Sequence, residues 1–307
     1  MTGARWRWVR PLGGAVILAL VVAQLGGAAF REGLRALDAG TLLLGAVIAA
    51  LTTLCSAWRW RLVADRLTVG LPLSTAVASY YRSLFLNLTL PGGVLGDVDR
   101  GVQHGRRVDD VRLALRAVAW ERVCGQVVLI GLAALAALLT PVPGPALALA
   151  VATLALIPIM AVLTVRTARA GGRSIPTRVA AVALADGRSL RSPGVVVGLL
   201  VSSLIAIAGH VAIFVVAARA VGTAMAVPHL MTAAVLVLLV AAVPISLAGW
   251  GPREGAAAWV FAVTGAQASE GLAVSVAYGA MVLVGALPGL LVILARRSRT
   301  SGVSVGA

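Results

Sequence analysis

Long uncharged apolar stretches constrain the fold of this chain more than any other feature. They cover residues 11–30, 39–58, 123–165, 194–218 and 271–295, and prolines at 141, 143 and 145 split the third into two. A helix needs roughly 20 such residues to cross the hydrocarbon core of a bilayer. Hydrophobic residues make up 60% of the 307 residues, too large a share for a water-soluble domain of this length. The sequence therefore predicts one all-α polytopic membrane domain over residues 1–307, with about six crossing helices.

The arginines set the expected orientation of these helices. The net charge is +15, and all 26 basic residues are Arg. If the N-terminus is inside, 21 arginines lie on the cytoplasmic side and only Arg31, Arg35 and Arg219 lie outside. Basic loops stay on the cytoplasmic side of bacterial membranes, so this split favours cytoplasmic N- and C-termini. The basic clusters then indicate contact with anionic lipids at the cytoplasmic face, and no nucleic-acid partner is expected.

Two apolar segments are interrupted in the same way, 153 residues apart. Pro91 and Gly96 bound the first interruption, Pro244 and Gly249 the second, and both read Pro-x-x-x-x-Gly. Paired Pro/Gly breaks in corresponding halves indicate a transport site in a membrane protein. We expect residues 74–96 and 228–264 to form broken re-entrant hairpins, although two short crossings would fit the second equally well. Residues 1–145 and 146–307 then form an inverted-topology repeat.

Charges inside the membrane are costly, which makes them candidates for function. Arg253 and Glu254 lie within an apolar stretch, where Arg253 is expected to hold a lipid phosphate and Glu254 either to orient it or to sense protonation. The structural alternative is an ion pair that closes the broken helix. Arg82 precedes the first break and is a candidate second phosphate ligand. Its alternative is to extend its charged end to the membrane interface.

The first break itself suggests an anion site. Gly92 and Gly93 free backbone N–H groups, and a helix that restarts beyond them directs its positive end at the break. Asn87 is a candidate cap for the loosened backbone. Asp97 and Arg100 are three residues apart on one helix face, and we expect them to pair at rest and to exchange partners when substrate binds; a solvated pair is the alternative.

The pair Glu121-Arg122 opens the third span. It either couples to the first hairpin or forms a plain interfacial cap, and the sequence favours the cap. His210, alone in an uncharged stretch, is expected to be a packed, hydrogen-bonded core residue. The sequence contains no nucleotide loop, no metal-spaced His/Cys cluster and no catalytic triad, so neither a cofactor nor a metal is expected. Cys55 and Cys124 show no disulfide pattern.

At these motifs the chain resembles a known family. Residues 81–100, then Glu121-Arg122, then residues 244–254 are similar to the lysylphosphatidylglycerol synthase transmembrane family, the flippase-like module also found in multiple peptide resistance factors. The resemblance implies a bacterial inner-membrane protein related to lipid translocation, without the soluble synthase domain. It also implies functional positions, which are Arg82, Asn87, Asp97, Arg100, Glu121, Arg122, Arg253 and Glu254. Together with Gly92, Gly93 and Ser246 at the two breaks, they make up the predicted substrate-binding residues.

The expected function is therefore the translocation of a phosphate-bearing lipid by alternating access. Its partner is a membrane phospholipid or a lipid-linked glycan, and a homo-oligomer is compatible with the sequence. Two alternatives stay open at this point. One is a membrane-embedded lipid-modifying or glycosyl-transferring enzyme, for which Asp97 and Glu254 are the plausible bases. The other is an accessory subunit of an envelope-biosynthesis complex.

Overall fold

A computed structural model describes residues 27–67, 70–90, 93–139, 162–167, 169, 174–242 and 250–301, with side chains up to residue 295. Helices account for most of these residues. In chain order they are α1 (Ala39–Leu67), α2 (Leu73–Thr89), α3 (Leu95–Arg107), α4 (Val111–Leu139), α5 (Ile175–Ser189), α6 (Pro193–Val221), α7 (Val227–Ala241), α8 (Pro252–Val263), α9 (Ala268–Ala286) and α10 (Pro288–Ser301). Residues 27–35 and 162–167 are also helical.

Four of the described helical stretches are long and apolar enough to cross a membrane. They are α1, α4, α6, and α9 together with the start of α10, which run on as Ala268–Ala295. They coincide with four of the predicted spans, and the protein is an all-α polytopic membrane protein as predicted. The predicted spans at residues 11–30 and 146–165 lie almost wholly outside the described residues.

Both predicted interruptions separate helices. α2 ends at Thr89 and α3 begins at Leu95, with Gly93 between them in the left-handed region at φ 63°. α7 ends at Ala241 and α8 begins at Pro252. At 17 and 15 residues, α2 and α7 extend about 26 and 23 Å, less than the roughly 30 Å of a hydrocarbon core. The residues Pro91, Gly92, Pro244 and Ser246 lie outside the described part of the chain.

The two halves of the chain repeat one packing arrangement. α1, α2, α3 and α4 correspond in order to α6, α7, α8 and α9. Within the first half α1 packs on α2 and α4, α2 on α3, and α3 on α4; the second half shows the same four contacts. Between the halves, α4 packs on α6 and α7 while α9 packs on α1 and α2. Exchange of the halves therefore leaves this set of helix contacts unchanged, as a two-fold axis requires.

The direction of α1 and α6 shows that this axis lies in the membrane plane. Gly198, early in α6, faces Leu62 late in α1, whereas the later Gly209 faces the earlier Thr52. Residue numbers rise along α6 as they fall along α1, so the two helices are antiparallel. Because they are equivalent members of the two halves, the halves have opposite orientations. The fold is an inverted-topology repeat, as predicted.

Candidate functional site

A buried charge cluster joins all four helices of the first half. Its centre is Glu121 on α4, whose side chain is fully buried. Oε1 of Glu121 accepts hydrogen bonds from Nε of Arg59 at 2.9 Å and from the hydroxyl of Tyr80 at 3.3 Å. Oε2 accepts one from Nη2 of Arg100 at 2.6 Å. This carboxylate thus ties α1, α2 and α3 to α4.

The position of Glu121 corrects one interpretation of the sequence. We favoured a plain interfacial cap, but the carboxylate is buried and bound to the first hairpin through Arg100. A carboxylate can be buried at this point because two guanidinium groups compensate its charge. Arg59 was counted among the cytoplasmic arginines but was not predicted as a member of the site, and it is only 7% exposed. Its place between Trp58 and Trp60, directly after an uncharged stretch, is the signal that could have revealed it.

Asp97 is the second carboxylate of the cluster. Its Oδ1 accepts from Nε of Arg100 at 3.0 Å and from the hydroxyl of Ser83 at 3.1 Å, and its Oδ2 pairs with Arg122. The predicted pairing of Asp97 with Arg100 is therefore confirmed. Of the two arginines that pair with Asp97, Arg122 is the exposed one: 44% of its side chain is exposed, compared with 1% of the Arg100 side chain. Arg100 and Arg122 both pair with Asp97. Breaking either ion pair leaves the carboxylate paired with the other arginine, and this costs less free energy than breaking an isolated ion pair.

Asn87 holds the first break in place. Its Oδ1 accepts from the backbone N–H of Gly96 at 2.8 Å, and its Nδ2 donates to Oδ2 of Asp97 at 3.1 Å. The predicted cap is confirmed, because this one amide spans the break from α2 to α3. Gly92 lies outside the described residues, and neighbouring Gly93 takes the left-handed conformation that favours glycine.

Arg100 is held between two aromatic rings. Its guanidinium carbon lies 4.7 Å from the ring centroid of Trp60 and 4.5 Å from that of Tyr80. Cation–π contacts of this kind are worth up to about 2 kcal/mol when desolvated. Nη1 of Arg100 is buried and has no hydrogen-bond partner among the residues that the structure describes. Arg100 is thus fixed by stacking and by two carboxylates.

Arg82 lies beside this cluster and has a separate partner. Its Nη2 donates to Oδ1 of Asp99 at 2.9 Å, and both side chains are partly exposed. Gln103 also donates to Asp99, at 3.0 Å. The structure therefore places Arg82 in a polar pair at the edge of the first hairpin.

The second half contains a smaller buried cluster around Arg253 and Glu254. Nε of Arg253 donates to Oε1 of Glu254 at 2.9 Å and to the hydroxyl of Ser275 at 3.2 Å. The guanidinium lies 5.0 Å from the ring centroid of Trp250 and 5.3 Å from that of Tyr278. The ion pair of the structural alternative is therefore present at the broken helix.

Glu254 also closes the start of α8. Its Oε2 accepts from the backbone N–H of Gly251 at 2.6 Å, and Gly251 has φ 111°, a left-handed value that favours glycine. A carboxylate in the first turn of a helix is further stabilised by the helix dipole. Glu254 therefore fixes both the restart of the chain after the second break and the position of Arg253.

The two clusters occupy equivalent places in the repeat. Arg100 and Arg253 each follow the motif proline by nine residues, and each bonds to a residue on the next helix. That residue is Glu121 in the first half and Ser275, 154 positions later, in the second. We did not predict this equivalence. Extending the comparison of the two Pro-x-x-x-x-Gly motifs by four residues would have found the paired arginines.

Two glycines at equivalent positions of the repeat make room for the guanidinium groups of Arg59 and Arg253. A Cβ added at Gly125 on α4 would lie 3.1 Å from the guanidinium of Arg59. A Cβ added at Gly279 on α9, again 154 positions later, would overlap the guanidinium of Arg253. In each half, therefore, a helical glycine leaves the space that a buried arginine fills.

A cavity of about 190 Å³ lies between the halves, lined by α1, α2 and α4 from one and α6 and α9 from the other. In the described part of the chain, the charged residues that line it are Arg59 and Arg122. His210 also lines it and is hydrogen-bonded to the hydroxyl of Tyr278 at 3.0 Å, as expected of a packed histidine. The other lining residues are the aromatic Tyr80 and a set of aliphatic and weakly polar side chains that includes Thr52, Thr53, Ser56, Leu84, Leu88, Gln126, Leu129, Ile207 and Val282.

The structure brings together most of the predicted site residues but in two groups. Asn87, Asp97, Arg100, Glu121 and Arg122 form one connected network, whereas Arg253 and Glu254 form the other. Within the described residues, His, Cys, Asp and Glu form no group of three that could hold a metal ion. An arginine-lined cavity next to aliphatic side chains is chemically suited to an anionic group carried by an apolar molecule.

Comparison with known proteins places the chain in a family. A search of curated proteins finds no match. The model of the family described as "Lysylphosphatidylglycerol synthase TM region" matches residues 7–289, a range that includes both breaks, both arginine clusters and the cavity. This is the family that the sequence motifs resemble, and the match spans most of the 307 residues. The chain therefore belongs to the lysylphosphatidylglycerol synthase transmembrane family.

Proposed function

We propose that the protein moves a phosphate-bearing lipid across the bacterial inner membrane by alternating access. The observation that carries this proposal is the cavity between the inverted halves, where Arg59 and Arg122 meet an aliphatic wall. Transporters built from inverted repeats bind substrate at the interface of the repeats. Membership of a family of membrane domains in lipid-related proteins agrees with this class of substrate.

The charge balance of the first-half cluster supports a singly charged anion. Among the described residues, Arg59, Arg100 and Arg122 form ion pairs with Asp97 and Glu121, which leaves one positive charge in excess. An uncompensated charge inside a membrane protein is expensive. The phosphodiester of a phospholipid carries one negative charge and would balance the cluster. Arg122 is its proposed first contact, since it is exposed to the cavity and shares Asp97 with Arg100.

The other candidate residues have defined parts in this proposal. At rest Arg253 is paired with Glu254, and Arg82 is paired with Asp99. Each arginine can therefore bind the phosphate only after it releases its carboxylate partner. Glycines and hydroxyls next to the breaks are proposed to offer backbone or side-chain hydrogen bonds to the headgroup; these residues are Gly92, Gly93 and Ser246. The cavity is far smaller than a lipid, so the acyl chains stay in the bilayer while the headgroup crosses.

Replacing Arg122 by glutamine tests the proposal. Loss of one charge-assisted hydrogen bond, worth about 1.5–3 kcal/mol, should slow transport roughly 10- to 100-fold. The measurement is the flipping of fluorescent phosphatidylglycerol in proteoliposomes, read by chemical quenching from outside. Arg112→Gln is the matched control, since Arg112 is an exposed arginine on the same helix. Equal flipping rates for Arg122→Gln and wild type would contradict the proposal.

The proposed orientation makes a separate prediction about labelling. In a background without Cys55 and Cys124, single cysteines at Ala36 and Ala224 should react with a membrane-impermeant maleimide in intact cells. Cysteines at Arg106 and Ser174 should react only after the membrane is opened. Labelling at 106 or 174 from outside would show that the termini are not cytoplasmic.

A further inference from the structure

Helix α5 has an exposed apolar surface at one end of the bundle. Ile175, Val179 and Val182 are 80%, 63% and 40% exposed, and their i, i+4, i+7 spacing places them along one side of the helix. Three aliphatic side chains in a row facing water are unfavourable, since each forfeits about 1.5–3 kcal/mol of burial free energy. This surface therefore needs an apolar medium or partner.

The same helix has arginines and no exposed carboxylate. Arg178 and Arg188 on α5 and Arg191 just after it are all exposed. The acidic residue among residues 174–193 is Asp186, which is buried and paired with Arg116. Exposed Arg166 and Arg169 add to the positive charge on the side leading into the helix. Apolar side chains flanked by arginines are the composition of helices that lie in the interface of an anionic bilayer.

The bundle holds α5 at the level where such an interface lies. Oδ2 of Asp186 accepts hydrogen bonds from Nε of Arg116 at 2.9 Å and from Nε1 of Trp120 at 3.1 Å. Arg116 and Trp120 both precede Glu121 and lie near the N-terminal end of the membrane span α4. The membrane span α6 begins at Pro193, four residues after α5 ends. α5 is thus fixed at a helix end of the transmembrane bundle.

From these observations we infer that α5 is a docking surface for the anionic lipids of the leaflet that it faces. Ile175, Val179 and Val182 enter the acyl region, while Arg178, Arg188 and Arg191 contact lipid phosphates. Charge complementarity selects this occupant, because a bilayer supplies both an apolar layer and negative charge. The inference stands independently of lipid transport, since it concerns a surface outside the cavity.

An environment-sensitive fluorophore on Val179→Cys tests this inference, in full-length protein that lacks Cys55 and Cys124. In nanodiscs containing phosphatidylglycerol, the emission should shift to the blue and be quenched by doxyl-labelled lipid. In discs of phosphatidylcholine alone both effects should be weaker. Each basic residue near an anionic surface raises the equilibrium constant for membrane binding about fivefold. The double variant Arg178→Gln with Arg188→Gln should therefore lower the ratio of docked to undocked helix about 25-fold.

The control is Arg31→Gln with Arg35→Gln, which removes two exposed arginines from the opposite end of the bundle and should leave the probe signal unchanged. A water-exposed probe in both kinds of disc would overturn the inference. So would a blue-shifted probe that doxyl lipid does not quench, because the surface would then be covered by protein, whether a second copy or another partner. Both results can be read whether or not the protein transports lipid.

Discussion

Glu121→Ala should destabilise the protein by about 3–5 kcal/mol, one of the two largest effects that we expect. The substitution leaves Arg59 and Arg100 buried without the carboxylate that binds both, and removing one partner of a buried ion pair typically has this cost. Thermal unfolding of the purified protein in detergent measures it. Since Tyr80 also loses its acceptor, the four helices of the first half should separate at a lower temperature.

Two further variants show whether charge is the cause. Glu32→Gln neutralises an exposed carboxylate and should change stability by less than about 0.5 kcal/mol. Arg59→Met added to Glu121→Ala removes one of the stranded charges and should recover part of the loss, as expected for residues in one network. A Glu121→Ala protein as stable as wild type would show that the buried network contributes little.

Arg253→Ala should have an effect of similar size on stability, because it strands the buried carboxylate of Glu254. Arg253→Lys keeps the charge but loses the planar group that contacts Glu254, Ser275 and two rings, so an intermediate loss is expected. Unfolding temperature and lipid flipping should be measured on the same preparations. If Arg253→Ala loses flipping at an unchanged unfolding temperature, Arg253 is a phosphate ligand rather than a structural residue.

Gly279 offers a matched test of the same contact. Gly279→Ala alone should destabilise the protein, because the new methyl group overlaps the guanidinium of Arg253. In the Arg253→Ala background the same change should be neutral or stabilising, since alanine is favoured over glycine in a helix by about 1 kcal/mol. Additive effects of the two substitutions would show that this glycine does not seat the arginine.

The sequence predicted the spans better than their ends. The apolar stretch 39–58 starts where α1 starts, yet α1 continues to Leu67 through Arg59. Likewise α4 begins at Val111, twelve residues before the apolar stretch at Val123. Hydropathy stops at the first charge because it cannot tell a charge facing water from one paired inside the bundle. The extra turns carry much of the candidate site.

The site itself was predictable wherever its contacts are local. Asp97 with Arg100, and Asn87 with the break, are close in the chain, and the structure contains both pairs. Arg59 and Glu121 are 62 residues apart, and their hydrogen bond depends on how α1 and α4 pack. One sequence holds no direct signal for such a contact. The motif spacing predicted the repeat and hence the fold, but not which arginines it buries.

The antiparallel relation of α1 and α6 has an energetic consequence. If the two halves had identical sequences, the two-fold axis would convert a state open to one leaflet into a state open to the other, and the two states would be isoenergetic. The degeneracy is lifted by side chains that have no counterpart across the axis. Foremost are Glu121 and Arg122, whose places in the other half are taken by Ser275 and Val276. In the transport cycle that we propose, a few unmatched charges, rather than the backbone, would therefore set which leaflet the resting state faces.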